Sequence, residues 1–365
     1  MNKLKSFLSL ILFLFLIHSL VNGQTIQPIE RSAGKLNISI DPRMELLSTV
    51  QLLSNYPFIK RDLPYSEDIV NYFKSFASHE AVIMTNKLFQ EQGFSYDGPP
   101  KFILHLSQLP ELEQQIQFPD YLKERIGGGD NLEQYRKSIQ QFAEISNFET
   151  FWNNKIPYYN QILDLAIVGM DGVDLVKILE DYFNETKDGH NIIISPSISA
   201  GGYAATVTDV DDKDITYACI ASFNSMSVIL LSLHEFSHPF VNPLTDKYSD
   251  RVESLNKLFE PVKENISQAY RTWQICVNEH IVRAVVIRLV ELYFESQSSK
   301  FLLDEFQIES TGSKFLLENE LRGGFIYIEP LIEKLKEFES QRDKNNVTFT
   351  EYYPELLNML EGLQK

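Results

Sequence analysis

The segment His234-Glu235-Phe236-Ser237-His238 constrains this chain more than any other stretch of it. It lies at the end of an apolar run, Met226 to His238, that reads as a helix with Ser225 as its N-cap. Residues four apart on a helix share one face, one turn above each other. Two imidazoles placed that way can both reach one Zn2+ at about 2.0–2.1 Å. Glu235 is one residue along and points about 100° around the helix. It cannot easily join the same ligand pair, but it can reach a water activated at the metal, which is the place of a general base. The bland alternative is a helix with two incidental histidines, and burying two unpaired imidazoles on an apolar helix is costly.

Catalytic zinc usually takes three protein ligands and keeps a position open. The candidate for the third is Glu279, within the segment Trp273 to Ala284. It is a carboxylate on a mostly apolar helix, where an unpaired acid is strongly unfavourable. Two alternatives stay open. Glu279 could simply pair with Arg283, four residues on, or the neighbouring His280 could be the ligand.

The surroundings suit such a site. Asn191 to Ser195, Tyr203 to Val210 and Ile215 to Phe223 are rich in Ile, Val, Thr and Tyr, and turn-forming residues separate them. They read as a three-stranded meander just before the motif helix. The acidic turn Asp211 to Asp214 lacks the glycine and spacing of a calcium loop, and Gly127-Gly128-Gly129 lacks the Lys and Ser/Thr of a phosphate loop. Upstream, Leu36 to Ile40 alternates like a short strand, and helical spacing dominates as far as Phe183. The expected fold class is α+β: mostly helical, with a small antiparallel or mixed sheet preceding the active-site helix. The expected division is a signal peptide at 1–23, a mostly helical region at 24–185 and a zinc-binding catalytic region at 186–365.

Lys3 and Lys5, the apolar run Phe7 to Ile17 and the small-residue site Val21-Asn22-Gly23 are the marks of a signal peptide. No later stretch could cross a bilayer, so the mature chain is expected to be secreted or periplasmic. A formal charge of −17 repels nucleic acid, whose affinity comes largely from phosphate neutralisation. Cys219 and Cys276 could pair in an oxidising compartment or remain buried thiols. Asn37, Asn184, Asn265 and Asn346 stand in glycosylation sequons.

His-Glu-x-x-His followed by Asn278-Glu279 on a second helix resembles the gluzincin, or thermolysin-like, zinc metallopeptidases. That resemblance implies His234, His238 and Glu279 as ligands and Glu235 as the base. It also implies a peptide substrate lying along the strand before the motif helix, here Ile215 to Phe223. Asp41-Pro42-Arg43-Met44-Glu45-Leu46-Leu47, the stretch His234 to Asn242, Asn278-Glu279 and Arg322-Gly323-Gly324-Phe325-Ile326-Tyr327 together resemble the domain of unknown function 4932 family, whose members are mostly secreted and regarded as zinc peptidases; that resemblance implies fold and metal but no substrate. Tyr327 and Arg322 are candidates for stabilising the oxyanion or binding substrate, each with a structural role as the alternative. Two departures stand out. Arg283 occupies the position where thermolysin-like enzymes carry an Asp that supports a ligating histidine. Pro239 directly after His238 is expected to end or bend the helix. The function expected is hydrolysis of peptide bonds, and the alternatives are a non-catalytic secreted zinc-binding module and a zinc hydrolase of a non-peptide amide.

Overall fold

A computed structural model describes residues 25–198, 201–221, 224–266 and 270–364; the expected signal peptide lies outside them. Alternating apolar residues shape the strands. In β2 (Leu36–Ile40), Leu36, Ile38 and Ile40 are buried, as period-two patterning requires of a strand with a covered face. β1 (Ile29–Ala33) folds back on β2 through a turn at Gly34, whose φ of 61° suits glycine. β3 (Gly189–Ile194), β4 (Gly202–Thr208) and β5 (Asp214–Ile220) complete a five-stranded sheet of order β1-β2-β3-β5-β4. β3 runs parallel to both β2 and β5, and β4 is antiparallel to β5. The fold is α+β with a mixed sheet, as expected.

Three details differ from the sequence reading. The last three strands are not a meander, because β5 inserts between β3 and β4. β3 is a run of consecutive isoleucines, which suits an interior position flanked by parallel neighbours. It follows that β5, which holds the described part of the segment expected to receive substrate, is interior, and that β4 is the edge strand on that side among the described residues. Finally, β1 and β2 come from the region 24–185 and β3 to β5 from 186–365, yet they form one sheet over one continuous core.

The helices follow in chain order. α1 (Pro42–Leu53), α2 (Pro64–Phe73), α3 (Glu80–Gln92), α4 (Gly98–Leu104), α5 (Asp120–Arg125), α6 (Gly129–Ile145), α7 (Phe148–Ile167) and α8 (Leu175–Phe183) fill the stretch between β2 and β3. After β5 come α9 (Ser225–Lys247), α10 (Ser249–Ser254) and α11 (Trp273–Leu289), then α12 (Glu295–Phe306), α13 (Gly312–Arg322), α14 (Ile328–Asn345) and α15 (Phe349–Leu363). A π-helical turn, Val290–Phe294, joins α11 to α12. Among the described residues no helix is long and apolar enough to cross a membrane.

α9 carries the motif. Its N-cap is Asn224, not Ser225: the Asn224 side chain accepts from the Ser227 N–H at 2.9 Å. The helix does not stop at Pro239 but runs on through Pro239 and Pro243 to Lys247. Each proline removes one ladder hydrogen bond, a cost of about 3 kcal/mol in an isolated helix. Here Phe240, Val241, Leu244 and Thr245, all beyond Pro239, are buried, and that packing holds the chain helical past the prolines. Cys219 and Cys276 are both buried and unpaired.

Candidate metal centre

α9 packs on β4, β5 and α11, and this brings the motif face of α9 opposite Glu279 on α11. Asn278, the residue before Glu279, helps fix the two helices: the Thr245 hydroxyl of α9 donates to its side-chain oxygen, and the same hydroxyl lies 2.6 Å from Tyr353 Oη. Both imidazoles and the carboxylate then converge. His234 Nε2 and His238 Nε2 are 3.3 Å apart. Glu279 Oε2 lies 3.6 Å from His234 Nε2, and Oε1 lies 3.6 Å from His238 Nε2. These three side chains are the ones among the described residues whose ligand atoms gather closely enough to hold a metal ion.

The spacing is informative. Four ligands at about 2.0–2.1 Å in a tetrahedron stand roughly 3.4 Å from one another. The two imidazole nitrogens, and each nitrogen with the carboxylate oxygen nearest it, stand at about that separation. The carboxylate–imidazole contacts are too long for hydrogen bonds, so Glu279 spends no lone pair on either histidine; its one acceptor bond here is to Arg283, and the two imidazole nitrogens lie within hydrogen-bond distance of each other. Burial, then the neighbouring His238 and Arg283, holds His234 well below the usual histidine range. It is therefore a neutral imidazole with a lone pair to offer.

The supporting groups are not the ones expected of a thermolysin-like site. His238 Nδ1 lies 3.1 Å from Asn242 Oδ1, one turn further along α9. That contact fixes the ring so that Nε2 faces Glu279. Arg283 supports the carboxylate instead of an imidazole: its Nη2 donates to Glu279 Oε2 at 3.1 Å, and its Nη1 donates to Glu320 at 2.7 and 2.8 Å. Phe325 packs under the guanidinium at 4.2 Å. Glu279 therefore does pair with Arg283 and also faces both histidines, so the two readings of that residue are compatible. His280 points elsewhere. Its Nδ1 contacts the Cys276 carbonyl at 2.8 Å, and its ring sits among Trp273, Phe325 and Tyr327.

Glu235 is 4% exposed and faces the edge strand. A Cβ added at Gly202 would stand 2.9 Å from Glu235 Oε1, so only glycine leaves room for the carboxylate there. The Ala204 backbone N–H donates to it. Burial, then the nearby charge of Glu279, pushes Glu235 up to about 8. A carboxyl group in this setting both accepts and returns a proton near neutral pH.

Neither candidate from the Gly-rich segment faces the centre with a free donor. The Tyr327 hydroxyl donates to the Leu258 carbonyl at 2.9 Å. Arg322 is exposed and bonds Glu318 and Asn319 on its own helix. A hydroxyl beside the centre that the sequence reading did not single out is that of Tyr270. Its hydroxyl accepts from Arg283 Nη2 at 3.0 Å, from the same nitrogen that holds Glu279, and it keeps its own proton to donate. Burial, then Glu279, pushes it up to about 12. Nothing in its sequence marks it, because a tyrosine in a loop has no periodicity or spacing to read.

The family model described as "Domain of unknown function (DUF4932)" matches residues 36–359, and the chain belongs to that family. No curated protein and no solved structure matches it.

Proposed function

We propose that this member of the DUF4932 family is a zinc-dependent peptidase acting outside the cytoplasm. The observation that carries the reading is the convergence of His234, His238 and Glu279 at a spacing one metal ion could bridge, with the buried Glu235 on the same helix. Two imidazoles and one carboxylate are a donor set that suits zinc. When bound, zinc supplies Lewis acidity and brings water to a pKa near 7.

The chain's own residues do the rest. Glu235 takes the proton of the attacking water and passes it to the leaving amine. The Tyr270 hydroxyl donates toward the oxygen on which charge develops. Arg283 offsets the charge of Glu279 and holds Tyr270 in place. The edge of β4 offers backbone groups to an extended peptide, as strand addition requires, and it lies directly against Glu235. Histidine pair, general base and Asn-Glu ligand helix support a gluzincin-like course, with Arg283 and Asn242 replacing that group's supporting carboxylate. The signal-like residues 1–23 support export.

Glu235→Gln tests the base. Expected is retained zinc with peptide hydrolysis lowered by about 10³-fold or more, read as kcat on a zinc-loaded chain. Full activity in that variant would end the proposed mechanism.

A further inference from the structure

The helical region between β2 and β3 shows no chemistry in its sequence, yet it packs aromatic rings on the edge strand that meets the candidate catalytic glutamate. Gly202 and Ala204 of β4 meet Glu235. Tyr203, between them, projects to the opposite face of the strand, since successive side chains alternate. There it meets Tyr96 edge-on, with ring centroids 6.4 Å apart. Tyr96 lies against Phe58 at 4.5 Å, and Phe58 is backed by Tyr56 and Phe89 at 5.6 and 6.0 Å. Phe58, Tyr96 and Tyr203 are each only half-buried, so the wall they form presents ring surface outward.

Tyr96 is held there against its backbone preference. Its φ of 55° is left-handed, a conformation that bulky residues rarely adopt without surrounding support. The support is present on every side. Arg125 donates to the Ser95 carbonyl at 2.8 Å, and Asp97 pairs with both Arg125 and Lys101 at 2.9 Å. The Tyr56 hydroxyl bonds the Tyr96 backbone. The Phe58 segment is fastened to the connection leading into β4: Ile59 pairs with Ile198, and the Lys60 N–H donates to the Ser197 carbonyl at 2.7 Å. Two charges couple this wall to the site. Asp97 is felt at Glu235, and Arg271, next to Tyr270, is felt at Tyr96.

We propose that Phe58, Tyr96 and Tyr203 form a subsite for one large apolar side chain, best an aromatic one, on an extended peptide paired with the edge of β4. The subsite rests on the peptidase reading and names the substrate class for it. A residue directly across from Tyr203 on an added strand would sit about 4.5–5.5 Å from it, the distance at which aromatic cross-strand pairs are favourable. A small residue would leave the rings uncovered. A basic one would meet the charge of Arg271.

The test is cleavage-site profiling on a random-sequence peptide pool, with fragments read by mass spectrometry. Tyr96→Gly is the variant, because glycine accepts the left-handed conformation and removes only the ring. The wild-type zinc-loaded chain is expected to enrich Phe, Tyr, Trp, Leu or Met about tenfold at one position near the scissile bond. Tyr96→Gly is expected to keep its zinc and its melting temperature within a few degrees while the enrichment falls below about twofold. Cleavage by both chains with the same preference, or with none, would overturn the subsite and leave the peptidase reading standing. If the wild type cleaves nothing, the peptidase reading fails. The zinc-loaded Glu235→Gln chain, incubated with the same pool, then decides the subsite separately: retained peptides enriched in large apolar residues, an enrichment lost on adding Tyr96→Gly, support it, and unenriched retention overturns it.

Discussion

Two buried carboxylates in this molecule sit in polar clusters that differ in which groups face them. Glu45, on α1, is enclosed by hydroxyls. Ser195 Oγ donates to it at 2.6 Å and the Tyr65 hydroxyl donates to its other oxygen, while Tyr159 and Ser48 extend the network at 2.7 and 3.0 Å. Both oxygens have short partners, and among the described residues no cluster of metal-ligating groups includes them. Glu279, on α11, gives one oxygen to Arg283 and has imidazole nitrogens 3.6 Å from each of its two oxygens. Burial of an acid is therefore no sign of function by itself. What separates the two is a pair of imidazole nitrogens drawn up to the Glu279 carboxylate at metal spacing, beyond hydrogen-bond reach of it.

The sharpest way to break that contrast is to change what holds Glu279. Arg283→Met removes the hydrogen bond to Oε2 and leaves Glu320 without its partner. Zinc affinity, read by chelator competition, is expected to fall by about 10- to 100-fold, as for other groups that orient a ligand. Unchanged affinity would mean that the helix pairing alone sets the ligand.

Glu45 sharpens the contrast from the other side. Burial pushes it from 4.5 up to about 7, against the lowering by its hydroxyl partners. Between the unfolded and folded values the folded chain holds more protons, so the stability from this group is present below pH 4.5 and is lost as pH rises through about 7. The loss by pH 8 is on the order of 3 kcal/mol. Urea unfolding at pH 5 and pH 8 should show this decline in the wild type and a flatter response in Glu45→Gln, with zinc affinity the same in both. A variant whose slope matches the wild type would remove Glu45 as the cause.

The smallest effect belongs to Tyr327. Tyr327→Phe deletes the hydrogen bond to Leu258 and is expected to cost about 1 kcal/mol of stability with kcat unchanged. A large fall in kcat would return this residue to the catalytic site.

The part of the site legible in sequence was the part written in helical spacing. His234, Glu235 and His238 follow from a single helix, and Glu279 from the improbability of an unpaired acid on an apolar one. Asn242 and Arg283 stand one turn from His238 and Glu279, but their partners depend on how α9 and α11 cross. Tyr270, Tyr96 and Phe58 reach the site only through tertiary packing. The same limit explains the sheet. Alternation and Ile/Val/Thr content identify strands, but the insertion of β5 between β3 and β4 is a long-range pairing with no local signal. Pro239 shows the reverse case, a strong local signal overridden by burial of Phe240, Val241 and Leu244 beyond it.

The most direct measurement is the metal content of the purified chain after zinc loading and desalting, wild type beside Glu279→Gln, with circular dichroism to confirm that both are folded. Expected is about one zinc per wild-type chain and little or none in the variant. Full zinc in a folded Glu279→Gln chain, or no zinc in a folded wild type, would contradict a metal centre built from His234, His238 and Glu279.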